Sequence, residues 1–215
     1  MKILSLNVGL PQRVPFHDRE VMTSIFKSSL PGPLMLRRLN LDGDFQSDLE
    51  VHGGKNKAVY AYASEHYDYW REQLPDYEFT RGNFGENLTT EGLREQDACI
   101  GDVYRIGQAT VKVTQPRMPC YKLGIRFGRD DMVKRFLASG RSGIYFHVVE
   151  EGLVNVGDAI EKISAVPGGI SIWDVNQAYA HTSENVELAR RIVDAQILPR
   201  GLHEDFVETL AALGR

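Results

Sequence analysis

The sequence predicts a mainly β fold, a barrel or sandwich with a few embedded helices, followed by a small three-helix extension. Three observations carry that expectation. Residues 1–163 are short extended runs broken by glycine, asparagine, aspartate and proline, the punctuation of a strand-rich domain. Only two segments there have helical caps and spacing. At Ala165-Val166-Pro167-Gly168-Gly169 the composition shifts, and beyond it apolar positions fall at helical spacing. Many strands with few helices favour a barrel or sandwich over a parallel doubly wound sheet. The expected division is a β domain over 1–164 and a helical extension over 165–215.

In order, strands are predicted at 3–8, 34–39, 59–62, 87–90, 103–106, 110–114, 144–149 and 159–163. Gly107-Gln108 predicts a hairpin, because glycine at the first central position suits the mirror-image turn that matches strand twist. Ile100-Gly101-Asp102-Val103-Tyr104 echoes Val156-Gly157-Asp158-Ala159-Ile160, and each reads as a tight turn feeding a strand. One embedded helix is expected over 65–74, between Ser64 and Pro75, and a second over 131–139, ahead of Gly140. The extension predicts helices over 172–179, after the capping-box-like Ser171-x-x-Asp174, over 184–196 and over 203–213.

With 215 residues, 42% of them hydrophobic, the chain can bury a core and is not of a disordered or collagenous class. The net charge of −4, without a run of six like charges, predicts no nucleic-acid partner. The extension is itself acidic, which argues against a helix-turn-helix reader of DNA. No stretch approaches the eighteen apolar residues of a membrane span, and the first residues lack a signal-peptide pattern, so no membrane contact is expected and the cytoplasm is the expected location. Two cysteines, Cys99 and Cys120, without a C-x-x-C pair, predict neither a disulfide scaffold nor a structural zinc knuckle.

Walker, G-x-G-x-x-G, H-E-x-x-H and G-x-S-x-G motifs are absent. The informative stretch is Gln115-Pro116-Arg117-Met118-Pro119-Cys120-Tyr121-Lys122. It sets a thiol after a strand, behind two prolines that stiffen the loop and beside cations that favour the ionised form. A thiolate attacks electrophiles or binds soft metals, whereas a buried cysteine merely packs. Cys99, in Ala98-Cys99-Ile100, reads as the packing kind. Near His52, the segment Gly53-Gly54-Lys55-Asn56-Lys57 can bring backbone N–H groups and ammonium charge to an anion, or can be a solvated turn. Asn83 and Asn87, around Gly85-Glu86, offer donors and acceptors to a flat heterocycle, or bond their own turn. Gly140-Arg141-Ser142-Gly143 reads as an anion nest or a plain helix cap.

Together, Val51-His52-Gly53-Gly54 with Lys57-Ala58-Val59-Tyr60, then Phe84-Gly85-Glu86-Asn87-Leu88-Thr89, Ile100-Gly101-Asp102 and Pro116-Arg117-x-Pro119-Cys120 resemble the MOSC family, named for the molybdenum cofactor sulfurase C-terminal domain. The resemblance covers about residues 1–163, and the closing helices resemble the YiiM-type subgroup. It implies a MOSC-type β-barrel that binds the molybdenum–pterin cofactor (Mo-molybdopterin), rather than pyridoxal phosphate, with Cys120 as protein ligand to the metal. It also implies a reductase of small N-hydroxylated compounds, hydroxylaminopurine-like bases among them. Arg117, Lys57 and Arg141 become candidates for holding the anionic cofactor, with Gly53 and Gly54 beside them, and Asn83, Asn87 and His52 for orienting cofactor or substrate. Two cysteines are too few for an iron–sulfur cluster, so electrons are expected from a separate reductase protein. The alternative is a carrier of the cofactor or of sulfur without turnover. The extension is expected to serve stability, a homodimer contact or donor docking rather than chemistry.

Overall fold

Alternation along one short run, Val59-Tyr60-Ala61-Tyr62, shows how the interior is organised. Successive strand residues face opposite sides of a sheet, and here both sides are buried. Val59 and Ala61 join an aliphatic core with Leu36, Val111 and Phe146. Tyr60 and Tyr62 face an aromatic core with Trp70, Phe84 and Phe136.

The computed structural model describes residues 1–47 and 53–214. In chain order its strands are β1 (Lys2–Val8), β2 (Gln12–Phe16), β3 (Arg19–Thr23), β4 (Ser28–Leu30), β5 (Leu34–Leu36), β6 (Val59–Ala63), β7 (Leu88–Glu91), β8 (Val103–Ile106), β9 (Ala109–Pro116), β10 (Ile144–Glu150), β11 (Gly152–Val154) and β12 (Ile160–Ser164). The α-helices among the described residues are α1 (Glu65–Gln73), α2 (Tyr121–Phe127), α3 (Met132–Ser139), α4 (Ile172–Ala180), α5 (Val186–Ala195) and α6 (Arg200–Ala212). None is long and apolar enough to cross a membrane.

Eight strands form one mixed sheet in the order β12-β8-β9-β10-β6-β7-β1-β4. Only β6 and β7 run parallel, and α1 lies in the crossover that such a pair requires. The expected closed barrel is not found. β4 takes the edge of β1 over residues 6–8, pairing Leu6 with Leu30 and Val8 with Ser28. That leaves only the beginning of β1 to meet the other end of the sheet, through an isolated bridge between Lys2 and Ala159 and three backbone bonds, Ile3 N–H to Asp158 O at 3.0 Å, Gly157 N–H to Ile3 O at 2.9 Å and Ile160 N–H to Met1 O at 2.9 Å. The result is a sheet-dominated mixed fold, strongly curled but without a continuous closing ladder.

All eight expected strands are present, with ends shifted by up to three residues. The run at 34–39 stops at Leu36 because Arg37 N–H turns back to Asn40 O. The hairpin β2–β3, with His17 at φ 52°, and the strands β4 and β11 were not predicted. They are short or lack an apolar alternation, and β2 is largely exposed. Helix α2 was also missed: it is only seven residues long and its first two, Tyr121 and Lys122, belong to the stretch read as the thiol's loop.

The two echoing turns are one device used twice. Gly101 and Gly157 have φ near +90°, at 94° and 92°, a backbone shape glycine adopts without strain. The aspartate that follows each accepts the N–H three residues earlier, Asp102 from Cys99 at 3.0 Å and Asp158 from Asn155 at 2.7 Å. The strands they feed, β8 and β12, then pair with each other.

Past the 165–169 turn the chain returns at once to the sheet domain. Ile100 N–H donates to Ile170 O at 2.9 Å, and Ile172 N–H to Ala98 O at 2.8 Å. Both halves of the capping box form, Asp174 N–H to Ser171 Oγ at 3.0 Å and Ser171 N–H to Asp174 Oδ2 at 3.1 Å. Ile172, Val175, Ile192, Phe206 and Leu210 share one apolar cluster with the sheet.

Asp102 ties these parts together, with its carboxylate on Val166 N–H at 2.8 Å and Lys162 Nζ at 2.8 Å as well as Cys99 N–H. Burial opposes its ionisation, and Lys162 with the two N–H donors outweighs that cost, holding the carboxyl below its ordinary value. A depressed carboxyl contributes stability that is complete above its unfolded pKa of about 3.9 and is lost as pH falls through the lower folded value. Asp102→Asn is therefore expected to cost about 1.5–3 kcal/mol in urea unfolding at pH 7. The gap to wild type should narrow only below about pH 4, and a pH-independent gap would show that the charge plays no part.

Candidate active site

The segment linking β9 to α2 places the thiol. β9 ends at Pro116, Arg117 turns inward, and Cys120 takes the N-cap position of α2 in extended conformation, φ −124° and ψ 172°, without capping the helix through its side chain. Cys120 is half-buried and opens into a cleft of about 100 Å³ that Lys27, Asp44, Lys57, Asn87 and Arg117 also line.

Arg117 is 7% exposed. Its guanidinium lies 5.5 Å from the Tyr60 ring and 5.2 Å from the Phe136 ring, and its buried Nη1 has no hydrogen-bond partner. Burial works against the charge, and Tyr60, Tyr145 and Cys120 outweigh it, so Arg117 stays protonated above its ordinary range. A buried cationic N–H without an acceptor is costly, and here it belongs to a side chain lining a cleft.

Asp44 organises the opposite wall. It accepts Gly9 N–H at 2.8 Å on Oδ1, and Lys27 Nζ at 2.6 Å and Asn87 Nδ2 at 2.8 Å on Oδ2. Burial pulls the Lys27 ammonium below its ordinary pKa despite this partner. Asn87 Oδ1 takes Tyr60 N–H at 3.1 Å, so one side chain clamps β6 to the cleft wall. The preceding Glu86 shapes the loop, accepting Gly82 N–H, Thr89 Oγ1 and Phe84 N–H at 2.8, 2.8 and 3.1 Å, with the Tyr67 hydroxyl at 2.5 Å. Burial pushes its carboxyl pKa up against those donors. Gly85, φ 76°, lines the cleft, where an added Cβ would stand 3.1 Å from Ile25 Cγ1.

Of the residues expected from sequence, Cys120, Arg117, Lys57 and Asn87 meet at this cleft. Gly53 and Gly54 line a second cavity that Cys120 also borders. Two others lie away from both. Asn83 is consumed by its turn, its Oδ1 accepting from Thr80 N–H and Oγ1 and its Nδ2 donating to Tyr77 Oη at 2.9 Å. Arg141 stacks on Tyr69 at 3.8 Å and bonds Ser139 O at 2.9 Å. His52 lies outside the described residues. Lys27, Asp44 and Tyr145 were missed, because they sit in no recognisable motif and approach Cys120 only through the fold. Pro199, Leu202 and Asp205 of the extension also wall the second cavity.

Among the described residues no three histidine, cysteine or acidic side chains are grouped to hold a metal ion. A metal at Cys120 would thus take its other donors from a bound group or from the remaining residues. The arrangement as a whole, one soft sulfur donor beside buried cationic nitrogens, suits a compact anionic ligand with a thiophilic centre.

The MOSC domain profile matches residues 48–161. The chain is 40% identical to the uncharacterized protein YflK of Bacillus subtilis over 206 residues, 96% of this chain and 93% of that protein. It is 34% identical over 147 residues, 67% of its length, to a Gibberella moniliformis protein named reductase, of which the match spans 26%. Among solved structures it is similar to YiiM from Geobacillus stearothermophilus, with a TM-score of 0.80 and 35% identity over 97% of this chain and 98% of that one. On sequence and fold together, the chain belongs to the MOSC domain family, in its YiiM-type branch.

Proposed function

We propose that the chain is a molybdenum–pterin-dependent reductase of N-hydroxylated compounds, hydroxylaminopurine-like bases in particular. The overall change is R–NH–OH plus two electrons and two protons to R–NH2 plus water, with the electrons delivered by a separate reductase protein. The observation that carries this reading is the orphaned, buried Arg117 Nη1 in the cleft that Cys120 borders. The residues present fit the cofactor, since Cys120 supplies a soft ligand and the cleft supplies cations for a phosphate. Membership of the MOSC family and the relative named reductase support the same reading.

When bound, the cofactor supplies the two-electron redox chemistry. Cys120 holds and electronically tunes the metal through Sγ. Arg117 and Lys57 would hold the anionic portion, and the buried Lys27–Asp44 pair borders the cleft on the opposite side. The Asp44–Asn87 bond fixes one wall of the cleft, and Tyr60 and Phe136 shield Arg117 from water, which would strengthen its charge-assisted contacts.

Arg117→Met keeps bulk and removes the donors. It is expected to lower molybdenum and pterin content per protein about 10- to 100-fold, as loss of a charged hydrogen bond would. Lys57→Ala should act in the same direction, and turnover per bound molybdenum should fall less than occupancy in both. Unchanged occupancy in both variants would place the anion site elsewhere. A loaded wild-type protein that consumes no N-hydroxylated base, given a reductant, would make the chain a carrier instead.

A further inference from the structure

Tyr145 and Tyr60 line the cleft that Cys120 borders, and from them a file of phenol rings runs into the aromatic core. Between ring centroids, Tyr145 lies 5.1 Å from Tyr60, Tyr60 lies 6.2 Å from Tyr62, and Tyr62 lies 5.9 Å from Tyr67 on α1. Tyr60, Tyr62 and Tyr67 are all buried. Packing asks only for rings, and phenylalanine supplies them without a hydroxyl that must be satisfied. Adjacent rings that can each lose an electron form a path along which an oxidising equivalent moves in short steps.

The path ends at a base. Tyr67 Oη donates to Glu86 Oε1 at 2.5 Å, the length of a charge-assisted bond. Gly82 N–H, Thr89 Oγ1 and Phe84 N–H donate to the same carboxyl group, which marks it as ionised, because the charged form is acceptor-only. Among the described residues no lysine, arginine or histidine forms an ion pair with it, and a buried charge without a cation is costly. The other buried phenols of the file have no such base. Tyr60 Oη donates to the Ser142 carbonyl at 2.8 Å, and Tyr62 Oη receives Trp70 Nε1–H at 2.7 Å. Burial and the Glu86 charge push the Tyr67 phenol pKa well above its ordinary value. Its oxidation at neutral pH therefore releases a proton, and Glu86 is in place to take it.

We propose that these tyrosines are a protective relay, which draws one-electron oxidising equivalents away from Cys120 and lodges them on Tyr67, with its proton on Glu86. The oxidant is a radical of the hydroxyl class, as peroxide yields on one-electron reduction, and Tyr145 and Tyr60 meet it in the cleft. In balance, hydroxyl radical, Tyr67 phenol and Glu86 carboxylate give hydroxide, the Tyr67 phenoxyl radical and the Glu86 carboxylic acid. One electron from a small reductant such as ascorbate, with the proton returned by Glu86, restores both side chains. Without the relay the same oxidant drives the thiolate up the irreversible ladder to sulfinic and sulfonic acid. The relay needs no cofactor and does not depend on the reductase reading.

The test puts the oxidant at the sulfur. In full-length Cys99→Ser protein, Cys120 carries a tris-bipyridyl ruthenium label, and a laser flash with hexaammineruthenium(III) as quencher turns the label into a one-electron oxidant. A neutral tyrosyl radical is expected by electron paramagnetic resonance, with a yield that falls about tenfold or more in Tyr67→Phe and in Tyr62→Phe, as loss of a positioned base or of its feeder would cause. Both variants keep the ring, and should Tyr67→Phe fail to fold, Tyr62→Phe decides. Tyr69→Phe, beside Trp70 and outside the file, should leave the yield unchanged. The second readout needs no label: after exposure to peroxide and a ferrous chelate, mass spectrometry should find several-fold more Cys120 sulfonic acid in Tyr67→Phe than in wild type. No tyrosyl radical in the labelled protein, or an undiminished yield in Tyr67→Phe, overturns the relay. Equal Cys120 oxidation in Tyr67→Phe and wild type overturns its protective role.

Discussion

Cys120→Ser is expected to lose molybdenum more than 100-fold, and with it reductase activity, while leaving the fold intact. Loss of an outer partner of a metal ligand already costs about 10–100-fold in affinity, and here the proposed ligand itself is exchanged for a hard, protonated hydroxyl. The fold has no stake in the sulfur. Cys120 is half-buried, makes no side-chain cap to α2, and stands at an N-cap position, where serine is a favoured residue. Urea unfolding of the two proteins should therefore agree within about 0.5 kcal/mol. Cys99→Ser is the matched comparison: Cys99 lines neither cavity, burial pushes its thiol pKa up, and it packs where a Cβ on Gly169 would stand 2.8 Å away. It should retain metal and activity. Wild-type molybdenum content in Cys120→Ser would remove the central residue of the proposed mechanism.

Truncation after Ser164 is expected to abolish folding rather than yield a small soluble β domain. The deleted segment contributes Ile172, Val175, Ile192, Phe206 and Leu210, all buried in the same cluster as Tyr104 and Phe146 of the sheet. Each such side chain is worth about 1.5–3 kcal/mol when buried, so five of them rival the whole stability of about 5–15 kcal/mol typical of a domain. The cut also strips backbone partners from Ala98 and Ile100. The shortened chain should be recovered insoluble, or soluble without a cooperative urea transition. A cooperatively unfolding 1–164 fragment would show that the extension is an appendage after all.

The legible parts of this protein are those whose physics is local. Strand alternation, a two-residue glycine turn at 107–108 and the Ser171–Asp174 box each depend on residues a few positions apart, and all three form as read. The β2–β3 hairpin escaped because its turn, His17-Asp18, is not of the usual glycine-bearing kind and its strands carry little apolar contrast. At the site, Cys120 and Arg117 were visible because proline and cations surround them within eight residues. Asn83 stayed open for the converse reason: an asparagine in a glycine-rich turn looks alike whether it faces a ligand or bonds its own turn, and here it bonds Thr80.

By itself the sequence determined the family, the strand-rich character, the helical extension and the thiol on its stiff loop, since composition, caps and proline act wherever the chain goes. Only the tertiary structure decided that β4 would block barrel closure, that Lys27 would find Asp44 beside Asn87 and Arg117, and that α6 would wall a cavity at Cys120. Those outcomes depend on which distant segments meet. Asp44 and Asn87 are 43 residues apart, and Cys120 and Asp205 are farther still. The order of strands in the sheet and the shared core of sheet and extension bring them together, and no local pattern records either one.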